Sequence, residues 1–175
     1  GDIILTTGIH GLSKLGFLIQ NKINFDNEFS LNERLIIKSI EHFCRPRVYP
    51  NFLNNLLKTR SNKNIRRIGC TDSSDGLFQA LQDLAIASNC KAIINYEKIP
   101  KDKDWPKGDK WDEYYFFGGE DYELVFSLPK KWAENLSKLD KDINEIGFFA
   151  DGEPSIEFKD NKKNKLFNNT PFKHF

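Results

Sequence analysis

The sequence predicts an α+β domain, a mixed and mostly antiparallel sheet with helices packed on it. Short apolar stretches of strand length alternate with segments of helical periodicity, yet without the regular strand–helix–strand rhythm of a parallel sheet. Size agrees with this. The 175 residues are 39% hydrophobic and 13% aromatic with fifteen Phe, enough for one domain with a real core but short for two.

The elements follow in chain order. Ile3-Ile4-Leu5-Thr6-Thr7 is a buried strand, and Gly8-Ile9-His10-Gly11-Leu12-Ser13 is a glycine-punctuated turn into a helix with Leu15, Phe17 and Leu18 on its apolar side. Such a turn can cradle phosphate, but Gly-x-x-Gly is weak evidence by itself, and His10 fits a loop histidine better than a catalyst. Ser30 with Glu33 forms a capping box for a helix from Leu31 to about Phe43, whose apolar positions are Leu35, Ile36, Ile40 and Phe43. Arg45-Pro46-Arg47 ends it, because proline cannot continue a helix. Its arginines suit either phosphate or solvent. Residues 50–58 are a short helix with Phe52, Leu53, Leu56 and Leu57 facing inward, and Ser61 to Asn64 is a polar turn.

A short strand beginning at Ile65 then runs into Asp72-Ser73-Ser74-Asp75-Gly76. The next helix carries Leu77, Leu81, Leu84, Ala85 and Ser88 on its buried stripe. Lys91 to Asn95 is a buried strand, and residues 98–112 form a charged loop with Pro and Trp, suited to a lid or a mobile segment. From Tyr122 the pattern alternates, with Tyr122, Leu124 and Phe126 on one face and Glu123 and Val125 on the other. Pro129 opens a helix with Trp132, Leu136 and Leu139 inward. Ile143 to Phe149 is a strand, Asp151-Gly152 a tight turn, and residues 155–158 pair with 165–167 as a hairpin.

Composition excludes several functions. Net charge is +1 and the basic residues are scattered, which leaves no nucleic-acid footprint. No apolar run approaches the length of a membrane span, and no basic-then-apolar leader opens the chain. Cys44, Cys70 and Cys90 lie far apart with no Cys-x-x-Cys, against a zinc or disulfide framework and in favour of a reducing cytoplasm. There is no Met, and Gly1-Asp2 leads straight into an apolar run, so residues 1–175 read as a single C-terminal domain cut from a longer protein.

Two stretches carry chemistry. In Asp72-Ser73-Ser74-Asp75 any one residue would serve as a helix cap, and four stand together. Two carboxylates three positions apart at a strand's end can share hard divalent cations, while Ser74 and the helix N-terminus meet the phosphates those cations carry. In Phe116-Phe117-Gly118-Gly119-Glu120-Asp121-Tyr122-Glu123-Leu124 the paired glycines allow close backbone approach. Spacing leaves this open between a turn with solvated acids and a ligand-binding turn with Glu120 or Asp121 facing the ligand.

Both stretches in this order, with Ile146-Gly147 and the terminal Phe172-Lys173-His174-Phe175, resemble the C-terminal domain of the thiamine-monophosphate kinase family, within the aminoimidazole ribonucleotide synthetase-like superfamily. The resemblance covers the whole chain, and the Gly-Glu-Asp-Tyr-Glu-Leu run is its discriminating part. Arg45-Pro46-Arg47 follows the family's proline–arginine element only loosely, and residues 101–112 look particular to this chain. The resemblance implies transfer of the γ-phosphoryl of ATP to thiamine monophosphate with Mg²⁺. It implies Asp72 and Asp75 as metal ligands, Ser74 as an ATP contact, and Glu120 and Phe172 as contacts to the thiamine substrate. It implies further that the rest of the metal and nucleotide site, and the homodimer contact, lie in an N-terminal domain absent here. Two alternatives stand beside this: a sister ATP-using synthetase with a different acceptor, and a non-catalytic interaction domain whose acids are solvated.

Overall fold

A computed structural model describes residues 1–22, 31–62 and 67–160. In chain order the elements are β1 (Ile3–Thr7), α1 (Leu12–Gln20), α2 (Glu33–Cys44), α3 (Phe52–Thr59), β2 (Gly69–Asp72), α4 (Leu77–Ser88), β3 (Lys91–Ile94), a 3₁₀ turn (Tyr96–Lys98), α5 (Asp109–Phe117), β4 (Leu124–Leu128), α6 (Lys130–Leu139), β5 (Ile143–Ala150) and β6 (Ser155–Phe158). The strands form one sheet in the order β2-β4-β1-β5-β3-β6. Every neighbouring pair is antiparallel except β3 with β6. The mixed, mostly antiparallel α+β reading holds.

Helices cover both faces of the sheet. Ile4 and Val125 point into one core with residues of α1, α2, α4 and α5. Their neighbours Leu5 and Phe126 point into a second, smaller core with α3 and α6. Because both faces are buried, apolar residues occupy consecutive positions in β1 and β4, as Ile3-Ile4-Leu5 and Leu124-Val125-Phe126. Trp132 ties the second core together, its indole N–H donating to the Leu56 carbonyl at 2.9 Å.

Several expectations change at the element ends. Leu53 and Leu57 on α3 and Leu139 on α6 are exposed rather than inward, as is Ser88 on α4. A short helix against one neighbour buries only a narrow stripe: Phe52 and Leu56 on α3, Trp132, Ala133 and Leu136 on α6. Asn32 caps α2, its side chain accepting from the Arg34 N–H. Ser30 and the expected hairpin strand 165–167 lie outside the described residues, and among those described β6 pairs in parallel with β3.

The expected irregular loop 98–112 is the largest difference. Residues 109–112 already belong to α5, where Trp111 and Tyr115, one turn apart, are both buried while charged residues between them mask the period. The rest is fastened down. Asp102, 5% exposed, pairs with Arg34 and with Lys38 Nζ at 2.6 Å. The Lys101 ammonium lies 3.6 Å from the Tyr96 ring centroid, and the Tyr115 hydroxyl donates to the Pro100 carbonyl at 3.0 Å. The segment is a strap held to α2 by Asp102 and to the 3₁₀ turn and α5 by Lys101 and Pro100.

Candidate functional site

The site is built where the end of β2 meets the turn before β4. Antiparallel pairing of Asp72 with Leu124 brings the two sequence stretches side by side. Beyond the ladder, the Ser73 N–H donates to the Glu123 carbonyl at 2.9 Å and the Glu123 N–H to the Ser73 hydroxyl at 3.1 Å. The Glu120 N–H donates to the Ser74 carbonyl at 2.8 Å. Only glycine fits at 119, since a β-carbon there would lie 2.3 Å from the Ser74 carbonyl oxygen.

Helix capping does not account for the acids. The residue before α4 is Gly76, with φ of 94° and no side-chain cap. Asp72 Oδ1 accepts instead from the Ser74 hydroxyl at 2.9 Å. Asp72, Asp75 and Glu120 are exposed, and Ser74 is half-buried. Asp72, Ser74, Asp75 and Glu120 therefore converge on one surface, while Phe172 lies outside the described residues. Among the described residues no group of three or more His, Cys, Asp or Glu side chains is arranged to hold a metal by itself. Asp72 and Asp75 are not used by the helix end and offer hard oxygen donors of the type a divalent cation takes.

Asp121 does not face a ligand. Fully buried, it accepts from the Gly11 N–H at 2.5 Å and the Ser13 N–H at 2.9 Å, closing the N-terminus of α1. The same bonds occupy the N–H groups that the Gly8–Gly11 turn could have offered to a phosphate. Burial raises the Asp121 carboxyl above its usual range against the pull of those two N–H groups. Its neighbour Glu123 is also buried, Oε2 accepting from the Thr7 hydroxyl at 2.5 Å and Oε1 lying 3.6 Å from His42 Nε2. Burial pushes the Glu123 carboxyl up, but His42, Thr7 and Tyr49 outweigh it and hold it below its ordinary value. His10 is sealed in, 2.7 Å from the Thr6 hydroxyl, and burial lowers its pKa to about 4. It is a neutral core residue.

Sequence reasoning missed Glu123 and Tyr122. Glu123 alternates with apolar Val125 toward the interior, a visible sign of a partnered buried acid. Tyr122 was read as a strand residue, but its φ is 52° and that of Glu120 is 70°, so the chain turns through the left-handed region before β4 begins. The Tyr122 hydroxyl donates to Glu120 Oε2 at 2.7 Å. Its ring lines a cleft of about 640 Å³ together with Leu124 and residues 46–50, 52 and 53. Arg47 at the rim pairs with Asp142 and stacks over the Tyr49 ring at 4.8 Å.

The fold is a six-stranded, mostly antiparallel sheet with helices on both faces, and exposed oxygen donors stand at the end of its edge strand β2. Residues 1–157 match the family described as AIR synthase related protein, C-terminal domain, and the chain belongs to that family. Among curated relatives, the thiamine-monophosphate kinase of Prochlorococcus marinus is 33% identical over 175 residues, covering all of this chain and 53% of the relative. That of Buchnera aphidicola subsp. Schizaphis graminum is 31% identical over 185 residues, again with full coverage of this chain and 53% of the relative. The structure of AaThiL complexed with AMPPCP and TMP superimposes with a TM-score of 0.71 at 27% identity, covering 100% of this chain and 52% of that one. The chain thus spans about half the length of the relatives it matches.

Proposed function

We propose that this chain is the C-terminal half of a thiamine-monophosphate kinase, which transfers the γ-phosphoryl of ATP to thiamine monophosphate to give thiamine diphosphate. One observation carries the reading. The Glu120 N–H to Ser74 carbonyl bond of 2.8 Å locks the two diagnostic motifs together and leaves their acids on a common surface. The names of the relatives and the nucleotide and TMP held by AaThiL support it.

The residue types suit the reaction. A phosphate acceptor with a second pKa near ~6 is largely deprotonated at neutral pH, so no general base is required. The difficulty is bringing one polyanion against another. Mg²⁺ held by Asp72 and Asp75 would supply the charge neutralisation. Ser74, on the loop before α4, contacts ATP, and Glu120 receives the cationic thiamine ring with Phe172 as an aromatic partner. The remaining metal ligands, most of the nucleotide site and a homodimer contact belong to an N-terminal half, and the enzyme works in the cytoplasm.

In the full-length enzyme Asp75→Asn should lower turnover by orders of magnitude and raise the Mg²⁺ requirement with folding intact, because Asp75 is exposed and caps nothing. The isolated 175 residues should turn over no ATP. A full-length protein whose ATP consumption ignores thiamine monophosphate would overturn the reading.

A further inference from the structure

The turn before β4 is built to present two side chains together. Inward-facing Asp121 is held by two N–H groups at the start of α1, and inward-facing Glu123 by Thr7. Between and before these anchors, Glu120 and Tyr122 are both forced outward, each in a left-handed backbone conformation uncommon for a residue with a side chain. Such conformations persist where their surroundings over-determine them, and they concentrate at functional sites. Tyr122 is 40% exposed, so its contact with Glu120 is not a by-product of core packing.

Three features meet at this one side chain. The hydroxyl is on Glu120 Oε2, and the ring walls the apolar cleft beside Val48, Leu53 and Leu124. The phenol is also raised above its ordinary value, chiefly by its hydrogen bond to Glu120. Tyr122 thus stands between the cleft and the acidic loop.

We propose that Tyr122 is a positioning residue for the thiamine substrate: its hydroxyl holds Glu120, leaving the second carboxylate oxygen to the cationic ring, while its own ring, on the wall of the Val48–Leu53 cleft, is the surface against which that ring lies. The assignment rests on the kinase reading above. It gives the cleft an occupant with matching chemistry, apolar and aromatic on the faces and positive at the edge that meets Glu120.

The test is calorimetric binding to the full-length enzyme, with thiamine monophosphate and the Mg²⁺ complex of AMPPCP titrated separately. Tyr122→Phe keeps the ring and removes the exposed hydroxyl, so the protein folds. It should weaken thiamine monophosphate binding by roughly three- to tenfold, the range for one partly exposed charge-assisted hydrogen bond. Nucleotide binding should stay within about twofold. Tyr122→Leu, which also removes the wall, should cost more than Tyr122→Phe. In a Glu120→Ala background Tyr122→Phe should add nothing, because the hydroxyl acts through the carboxylate. Unchanged binding by Tyr122→Phe, or losses that add in the double variant, would overturn the positioning role and leave the kinase reading standing. A wild-type enzyme that binds the nucleotide but not thiamine monophosphate would overturn both.

Discussion

Replacing Gly119 by Ala tests whether close packing of two backbones is what assembles the site. The added β-carbon would sit 2.3 Å from the Ser74 carbonyl oxygen and 3.6 Å from the Asp75 α-carbon. The oxygen belongs to the main chain and cannot rotate away, so about 1 Å of relief must come from sliding the Asp72–Gly76 loop off the Gly118–Glu120 turn. Overpacking of this kind costs about 1–3 kcal/mol. Loss of the Glu120 N–H to Ser74 bond adds about 0.5–1.5 kcal/mol. A total near 2–4 kcal/mol should lower Tm by roughly 4–16 °C for a 150–250-residue domain and by less in the longer full-length protein, since the shift per kcal/mol falls with size. Activity should fall further than stability implies, since displacement of about 1 Å at a phosphoryl-transfer site costs on the order of a hundredfold. The control is Gly69→Ala, where the nearest atoms are the Ser127 hydroxyl at 3.0 Å and a Leu84 methyl at 3.2 Å, both able to give way. Calorimetric melting and kinase turnover of both full-length variants decide it. A Gly119→Ala enzyme with wild-type turnover and Tm would refute the claim that contact between the two stretches builds the site.

Two further outcomes are expected. Glu120→Gln and Phe172→Ala should each raise the KM for thiamine monophosphate, by roughly two- to thirtyfold for Phe172, with little effect on that for ATP; the reverse pattern in substrate-varied kinetics would refute the assignment. Asp102→Asn tests the strap through pH. Burial alone would raise the Asp102 carboxyl, but Lys38, the Asp104 N–H and Arg34 together bring it from 3.8 to about 2. The gap corresponds to roughly 2.5 kcal/mol, discounted to about 1–2 kcal/mol because both cationic partners are substantially exposed. A lowered folded pKa stabilises above 3.8, and the contribution is lost as pH falls through about 2. Urea unfolding should therefore show the Asn variant weaker at pH ~7, with the deficit shrinking below pH ~3.8; a deficit independent of pH would refute it.

Most elements were legible because they are amphipathic over several turns or are short apolar runs, as in α2, α4, β1 and β5. Misreadings concentrate where charge interrupts periodicity. Residues 109–112 join a helix because Trp111 and Tyr115 share a buried face, although Asp109, Lys110, Asp112 and Glu113 obscure it. Leu53, Leu57 and Leu139 look like core residues until it is known how little surface faces each short helix. Within the site, composition pointed to the acids but could not sort them. Glu120 and Asp121 are adjacent and chemically alike, yet one faces solvent and the other caps α1 from across the fold. Only the long-range contact with Gly11 and Ser13 separates them. Tyr122 escaped notice because a period of two mimics a strand, whereas left-handed dihedrals break the ladder there.

The placement of Asp72 has a kinetic consequence. It ends β2, a four-residue edge strand whose only ladder partner in the described sheet is β4. Edge segments with few buried neighbours open sub-globally at a fraction of the free energy needed to unfold the whole domain. Detachment of β2 would carry Asp72 away from Glu120 and loosen the loop holding Ser74 and Asp75, while both cores stayed packed. Cations and phosphates that bridge the loop to the opposite turn would oppose this opening by mass action. Occupancy of the proposed site would then decide how long the edge strand stays in place, and with the site empty the acidic surface would come apart well before the fold did.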